Sequence, residues 1–514
     1  MELILIQDCQ DRLKIGFVSF EHLRDWTGIT RLIDQLASAM AARGHSVTII
    51  ARDGKASEKT PVSKRDYPHD LITLDLRNHG LREAREKIAS SGLDICVTSI
   101  GSTQVLYMPW LFYGSGIPFI LGEPADPRVF TFERWQPYEH YGALFSADAI
   151  QVLLEQYIPF YPDTLKPRIT VIGNPAPPPA IVDLAARRAK ETQTLIAVGR
   201  LNEEDKRFSY LLRAFAILRE EFPAWRLKLV GDGAYWEYYH IMAEQLGIRK
   251  LVDFTGAVAD PETHYNTADI FCLPSLRAEG LPMVLLEASA HALPLVGFSS
   301  CVASSALIVS DMGALIHIEP ETDVIVALAE ALRPLMAMQP DKRECIGIRA
   351  RDSIGLKYGG DTVFDAWEDL ITGTLEKTRS SGKTAMEVNS YMSGANTGIG
   401  PEWEGLDPDS PVWTQALMAG AAIEIAGRHD PLKPPSMEGS GLDPTGSGAH
   451  MPDADADTKS QDEYIGASKN SNPEIIRLRC ELARMKADHD ALERKYAALL
   501  TKFQTAAGKR KRNK

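Results

Sequence analysis

The chain has 514 residues, 44% apolar and 24% charged, and its 69 acidic against 56 basic side chains leave a formal net charge of −13. A length of that order fits two to four domains at roughly 100–200 residues each, and the acidic excess excludes a surface built as a whole to bind nucleic-acid phosphate. None of the six cysteines, at 9, 96, 272, 301, 345 and 480, lies in a C-x-x-C pair, which argues against a zinc site or a disulfide framework.

Further expectations follow on location. A chain without a disulfide framework suits a reduced, cytoplasmic compartment. No apolar run reaches the roughly 18 residues that mark a transmembrane helix, and Glu2 stands where a secretory leader carries basic residues.

In chain order, β-rich runs alternate with helical patterns up to about residue 372. The first series is 14–20, 46–51, 94–99, 117–121, 149–153 and 168–172, and the second is 194–198, 226–230, 252–255, 270–273, 293–297 and 314–318. Continuous apolar runs of this kind mark parallel strands buried on both faces. Between them, Phe208, Leu211, Leu212, Phe215, Leu218 and Phe222 follow helical spacing. Two such series predict an α/β protein of two Rossmann-like, doubly wound domains facing a cleft, over 1–178 and 179–355. Pro175, Pro177, Pro178 and Pro179 form a stiff hinge between them. A further helix is expected over 356–374. Residues 375–472, rich in Gly, Pro and Ser, form an expected disordered linker, with an apolar island at 413–426.

Residues 473–508 carry a heptad. Ile475, Leu482, His489, Tyr496 and Phe503 occupy its a positions, and Leu478, Met485, Leu492, Leu499 and Ala506 its d positions. That pattern predicts a coiled-coil helix able to self-associate or take a partner helix, unless it packs as a lone amphipathic helix on the globular part. A basic stretch follows at 509–514, either solvated or touching anionic lipid or nucleic acid.

Three strand-to-helix loops hold the residues that suggest chemistry. Gly28, in Trp26-Thr27-Gly28-Ile29, lets a ligand approach the amino end of a helix; by itself the loop reads first as an ordinary strand–helix turn, where glycine is the default residue. Arg200 follows an apolar strand in Gly199-Arg200-Leu201, and Lys206 opens the next helix. Two cations at that edge suit a diphosphate, or a solvated loop. The third loop runs from Arg277 through Glu279, Gly280, Leu281 and Pro282 to Glu287. Backbone amides at Gly280 and Leu281 can meet a phosphate, and a carboxylate can accept from two sugar hydroxyls. The plainer alternative makes Glu279 a helix cap and Glu287 a surface charge.

Together with Leu229-Val230-Gly231-Asp232-Gly233, Phe254-Thr255-Gly256, Ala268-Asp269 and Pro274-Ser275, these motifs resemble the retaining GT-B-fold group 1 glycosyltransferases over roughly 14–372. The resemblance implies a nucleotide-sugar donor and a glycan or lipid-linked acceptor, as in polysaccharide biosynthesis. It leaves a position at the inner face of a membrane open, and no His/Asp/Glu cluster with ligand spacing appears in the patterned region, so neither cofactor nor metal is expected. By the same resemblance Arg200 and Lys206 hold and neutralise the departing diphosphate, Glu279 lies near the donor sugar, and Glu287 takes the ribose hydroxyls. Gly28 and the Gly280 and Leu281 amides meet phosphate or sugar, and the helix near Trp367 crosses back to the first domain. Glu123 stands where many members have histidine, and 297–301 lacks the common Glu-containing form. These departures leave open an inactive member serving as an assembly scaffold through its tail.

Other patterns carry less. Gly382-Lys383-Thr384 ends like a phosphate-binding loop, but Lys377 stands where its first glycine belongs, and Trp236 replaces the third glycine of a dinucleotide fingerprint begun at Gly231. The aromatics of 107–145, including Trp110, Phe130, Phe132, Trp135 and Tyr138, fit core packing or an acceptor wall.

Overall fold

The computed structural model describes residues 12–19, 28–52, 69–74, 80–99, 111–112, 115–129, 143–161, 163–258, 260–277, 279–309, 311–382 and 384. The expected linker beyond 384, the apolar island, the coiled coil at 473–508, the basic tail, and Trp110, Phe130, Phe132, Trp135 and Tyr138 lie outside the described residues.

Two parallel sheets organise the chain. The first holds β1 (Lys14–Ser19), β2 (Ser46–Arg52), β3 (Asp70–Leu74), β4 (Ile95–Ser99), β5 (Phe119–Glu123), β6 (Ala149–Val152) and β7 (Ile169–Val171), in the order β3-β2-β1-β4-β5-β6-β7. The second holds β8 (Gln193–Val198), β9 (Trp225–Val230), β10 (Val252–Phe254), β11 (Ile270–Leu273), β12 (Leu295–Phe298) and β13 (Gly313–Ile316), in the order β10-β9-β8-β11-β12-β13. The strand order reverses beside β1 in one sheet and beside β8 in the other. These are the switch points where doubly wound sheets bind ligands, beyond the carboxyl ends of their strands.

The twelve expected strands are all present, with ends shifted by a residue or two. β3 was not expected. Three of its five residues are exposed and it lies at the sheet edge, so no continuous apolar run announces it.

Residues 356–358 close the helix Pro340–Tyr358, and the helix expected over 356–374 runs Gly360–Ser381, so 375–381, expected in the disordered linker, are helical. Its buried Val363, Trp367, Ile371 and Leu375 pack with Leu36 and Met40 of the helix Gly28–Ala42, so it belongs to the core of the first lobe. Gly382 ends it in a left-handed conformation, its N–H bonded to the Thr378 carbonyl. The glycine of the apparent phosphate motif is therefore a helix cap. In the hinge, the Ala176 N–H reaches the Tyr358 carbonyl at 2.6 Å and the Ala180 N–H reaches that of Ala290 at 3.0 Å. A buried apolar cluster continues from Leu121, Leu153 and Tyr157 of the first lobe into Leu281 and Met283 of the second. Phe112 and Phe119 stack at 4.6 Å within it, which gives the described aromatics of 107–145 a packing role.

Candidate active site

The loops after β8 and β9 touch backbone to backbone. A Cβ added to Gly231, at φ +139, would meet the Gly199 carbonyl oxygen at 1.9 Å, and one on Gly233 would meet that of Leu201 at 2.4 Å. The Gly199 N–H bonds the Val230 carbonyl and the Leu201 N–H that of Asp232, at 2.9 and 3.0 Å. This contact fixes the turn that carries Arg200 past the end of β8. The Arg200 side chain is exposed and makes no ion pair or hydrogen bond among the described residues.

Lys206 ends the short helix Glu203–Lys206, capped by Asn202. Its Nζ lies 2.6 Å from Glu279 Oε1, and Ser275 Oγ donates to the same oxygen at 2.7 Å. Both charged side chains are mostly buried, 19% and 11% exposed. The expectation gave Lys206 to the diphosphate and Glu279 to the sugar; the structure joins the two side chains at one point. Glu279 is thus a positioned carboxylate rather than a helix cap. It lies one residue before two backbone amides, those of Gly280 and Leu281, that no acceptor among the described residues engages.

Donors from the first lobe grip the same loop. Tyr157 Oη lies 2.8 Å from the Glu279 carbonyl oxygen and 2.9 Å from that of Gly280, and Asn174 Nδ2 donates to the Leu281 carbonyl at 2.6 Å. Burial, with the Asp126 carboxylate adding to it, pushes the Tyr157 hydroxyl well above its ordinary range, so it stays a donor. The approach is close: a Cβ on Gly280 would meet the Pro124 carbonyl oxygen at 2.2 Å.

Glu287 lies on the helix Met283–Ala290 and is buried. It is no surface charge. Tyr265 Oη donates to its Oε2 at 3.0 Å. Arg31 Nη2, one turn into the helix that Gly28 opens, lies 2.7 Å from its Oε1 as an ion pair between the lobes. Among the described residues that buried oxygen accepts no directed hydrogen bond. A Cβ at Gly28 would meet no described residue within 4 Å.

Glu123 ends β5 and is buried, with the Tyr161 hydroxyl donating to its Oε2 at 2.9 Å. Beyond it the fully buried Asp126 receives Arg128 through Nε at 3.1 Å and Nη2 at 2.6 Å. Cys301, in the divergent turn after β12, is buried too; burial and then the Glu279 carboxylate push its thiol up to about 11. It therefore remains protonated near the loop.

Arg31, Tyr157, Asn174, Tyr265 and the Asp126–Arg128 pair were not singled out from sequence. For Arg31 a signal existed, since it follows Gly28 by three residues and so lies near it on one helix face. Among the described residues no group of three or more His, Cys, Asp or Glu side chains is arranged to hold a metal ion, and no helix is long and apolar enough to cross a membrane.

A family model described as "Glycosyl transferases group 1" matches residues 192–338, the stretch that holds Arg200, Lys206, Glu279 and Glu287. An uncharacterized glycosyltransferase of Haemophilus influenzae is 30% identical over 301 residues, covering 56% of this chain and 80% of that protein. A GDP-mannose-dependent alpha-(1-6)-phosphatidylinositol monomannoside mannosyltransferase of Mycobacterium tuberculosis is 28% identical over 205 residues, 38% of this chain and 52% of the other. Among solved structures, that of Anabaena HepE in complex with UDP and glucose superposes with a TM-score of 0.56 at 14% identity, over 70% of this chain and 100% of that one. At that identity the likeness concerns the fold.

Proposed function

The chain belongs to the group 1 glycosyltransferases, and on that premise we propose that it moves a sugar from a nucleotide-diphosphate donor to a glycan, glycolipid or small-molecule acceptor with retained anomeric configuration. The observation that carries this reading is the meeting of Lys206 and Glu279 beside the unengaged Gly280 and Leu281 amides, at the carboxyl edge of the second sheet. Departure of the nucleotide diphosphate concentrates negative charge at that edge. Lys206, Arg200 and the two amides supply fixed positive charge and dipoles there, which stabilise the transition state without reorganising. Lys206 and Ser275 both engage Glu279 Oε1, which leaves that carboxylate a sugar-hydroxyl acceptor rather than a free nucleophile. Glu123, on the first-lobe side, takes the place of the family histidine and sets sugar preference. Gly28 leaves the amino end of its helix open to phosphate.

Incubation with a panel of nucleotide sugars tests the reading, with proton NMR of the product's anomeric coupling. Retained configuration is expected; an inverted product sinks the stereochemical part, and neither binding nor turnover of any donor sinks the whole. The mycobacterial relative is named for a phosphatidylinositol mannoside, which supports a lipid-linked acceptor and work at a membrane surface. Fixed cations replace a metal in this scheme, so excess EDTA is expected to leave the rate unchanged. Activity lost to EDTA and regained with manganese contradicts that.

Glu287 takes the ribose hydroxyls: its buried Oε1, with Arg31 as ion-pair partner but no directed hydrogen bond among the described residues, suits a hydroxyl donor. Hydrogen bonds to a charged group contribute about 1.5–3 kcal/mol, so Glu287→Gln is expected to raise the donor KM by roughly 10–100-fold, since each 1.4 kcal/mol is tenfold. A 2′-deoxyribose donor should lose the same factor with the native enzyme and little more with the variant. Equal KM for native enzyme and variant removes Glu287 from the ribose site.

A further inference from the structure

We propose that Tyr157 is a positioning residue for the donor site, aligning the Gly280 and Leu281 amides on the nucleotide diphosphate from the opposite lobe. The proposal rests on the donor-site reading above and extends it to a residue that touches no substrate. Three facts carry it. Tyr157 Oη contacts two successive carbonyl oxygens, those of Glu279 and Gly280. The Gly280 and Leu281 N–H groups have no acceptor among the described residues. Tyr157 is almost fully buried, at 1% exposure, on a turn of the first lobe, Glu155–Phe160.

Peptide planarity makes the connection. In a trans peptide the C=O and N–H of one unit point in opposite directions and cannot turn independently. The single Tyr157 O–H proton is shared between the two carbonyls: its hold on the Glu279 carbonyl orients the Gly280 N–H, and its hold on the Gly280 carbonyl orients the Leu281 N–H. Both N–H vectors then point away from Tyr157. Glycine at 280 has the backbone freedom to let its peptides rotate once that hold is lost. Asn174 makes a parallel contact with a different consequence. Its target, the Leu281 carbonyl, belongs to the peptide unit of Pro282, which has no N–H. The Asn174 contact ties the lobes without aiming a donor.

This difference separates positioning from clamping. Tyr157→Phe removes only the hydroxyl and keeps the buried ring. It is expected to weaken binding of the nucleotide diphosphate, tested with UDP, GDP, ADP and dTDP by calorimetry, about tenfold, and to raise the donor KM by the same factor. Asn174→Ala should change that affinity by less than about threefold while lowering thermal stability at least as much. With backbone 15N labelling, the Gly280 and Leu281 amide resonances of the native enzyme should move on nucleotide addition, and in Tyr157→Phe they should move less.

Equal losses of affinity in Tyr157→Phe and Asn174→Ala overturn the proposal in favour of a plain interlobe clamp, as does unchanged affinity in Tyr157→Phe. Should the variant not fold, the native resonances decide: amides that stay unmoved on nucleotide binding overturn it, and amides that move uphold it. Failure of the native enzyme to bind any of the four nucleotides removes the donor-site reading itself, a result distinct from either of these.

Discussion

Replacing Lys206 by alanine is expected to lower kcat/KM for the donor by about 10²–10³-fold while the protein remains folded. Loss of one preorganised charge at a developing anion has that typical size. Two features of the site place Lys206 at the upper end. Its Nζ, 2.6 Å from Glu279 Oε1, balances a carboxylate that is only 11% exposed, and in the proposed site it also meets the diphosphate. Without it, the departing diphosphate faces an uncompensated Glu279, with only the Ser275 hydroxyl on that oxygen among the described residues. Arg200, exposed and unpaired among the described residues, balances no such neighbour, so Arg200→Ala should cost less. Lys206→Arg keeps the charge but presents a planar fork where a point charge fits, and partial recovery is expected. Steady-state kinetics alongside thermal denaturation checks this. Near-native kcat/KM in Lys206→Ala, with the melting temperature unchanged, removes the residue from the leaving-group site.

Charge after apolar strands is what brought the candidate residues forward from sequence. A buried parallel strand leaves few reasons for charged side chains beyond its end, so Arg200 and Lys206 stood out after β8, and Glu279 and Glu287 after β11. The strands were legible for the same reason: both faces are covered, so each shows as a continuous apolar run. β3 escaped because half-exposed edge residues such as Leu71, 52% exposed, break that run. The contacts between the lobes escaped for another reason. Tyr157 and Glu279 are 122 positions apart, and no local periodicity encodes which buried tyrosine of one lobe meets which carbonyl of the other. Glu287 was expected to face ribose, but its Arg31 ion pair depends on how the lobes meet. The pairing of Lys206 with Glu279 was equally hidden, because each residue had its own separate explanation in its own loop.

Gly280→Ala is expected to lower activity about 100-fold or more and to destabilise the protein by about 1–3 kcal/mol. The added methyl carbon has no room: the Pro124 carbonyl oxygen lies 2.2 Å from its position and Leu153 Cδ1 2.6 Å. A leucine methyl can rotate aside, but a backbone carbonyl of the other lobe cannot without moving the chain after β5. Forced overpacking of this kind costs about 1–3 kcal/mol. The kinetic cost is larger because the displaced segment is the one that carries the unengaged amides, and a misplacement of about 1 Å can cost 100-fold in rate. Tyr157 and Asn174 hold that segment from the first lobe, so the methyl group pushes the lobes apart where they are tied. Gly28→Ala is the fitting contrast. No described residue lies within 4 Å of its added carbon, so stability should stay within about 0.5 kcal/mol of native, and loss of activity at native stability there reports on ligand space. Urea unfolding of both variants and kcat/KM with the identified donor measure the two effects separately. Native-like stability and rate in Gly280→Ala mean that the lobes do not close on this glycine in solution. Loss of rate at native stability places the defect in the amides alone, with the lobe contact yielding to the methyl group.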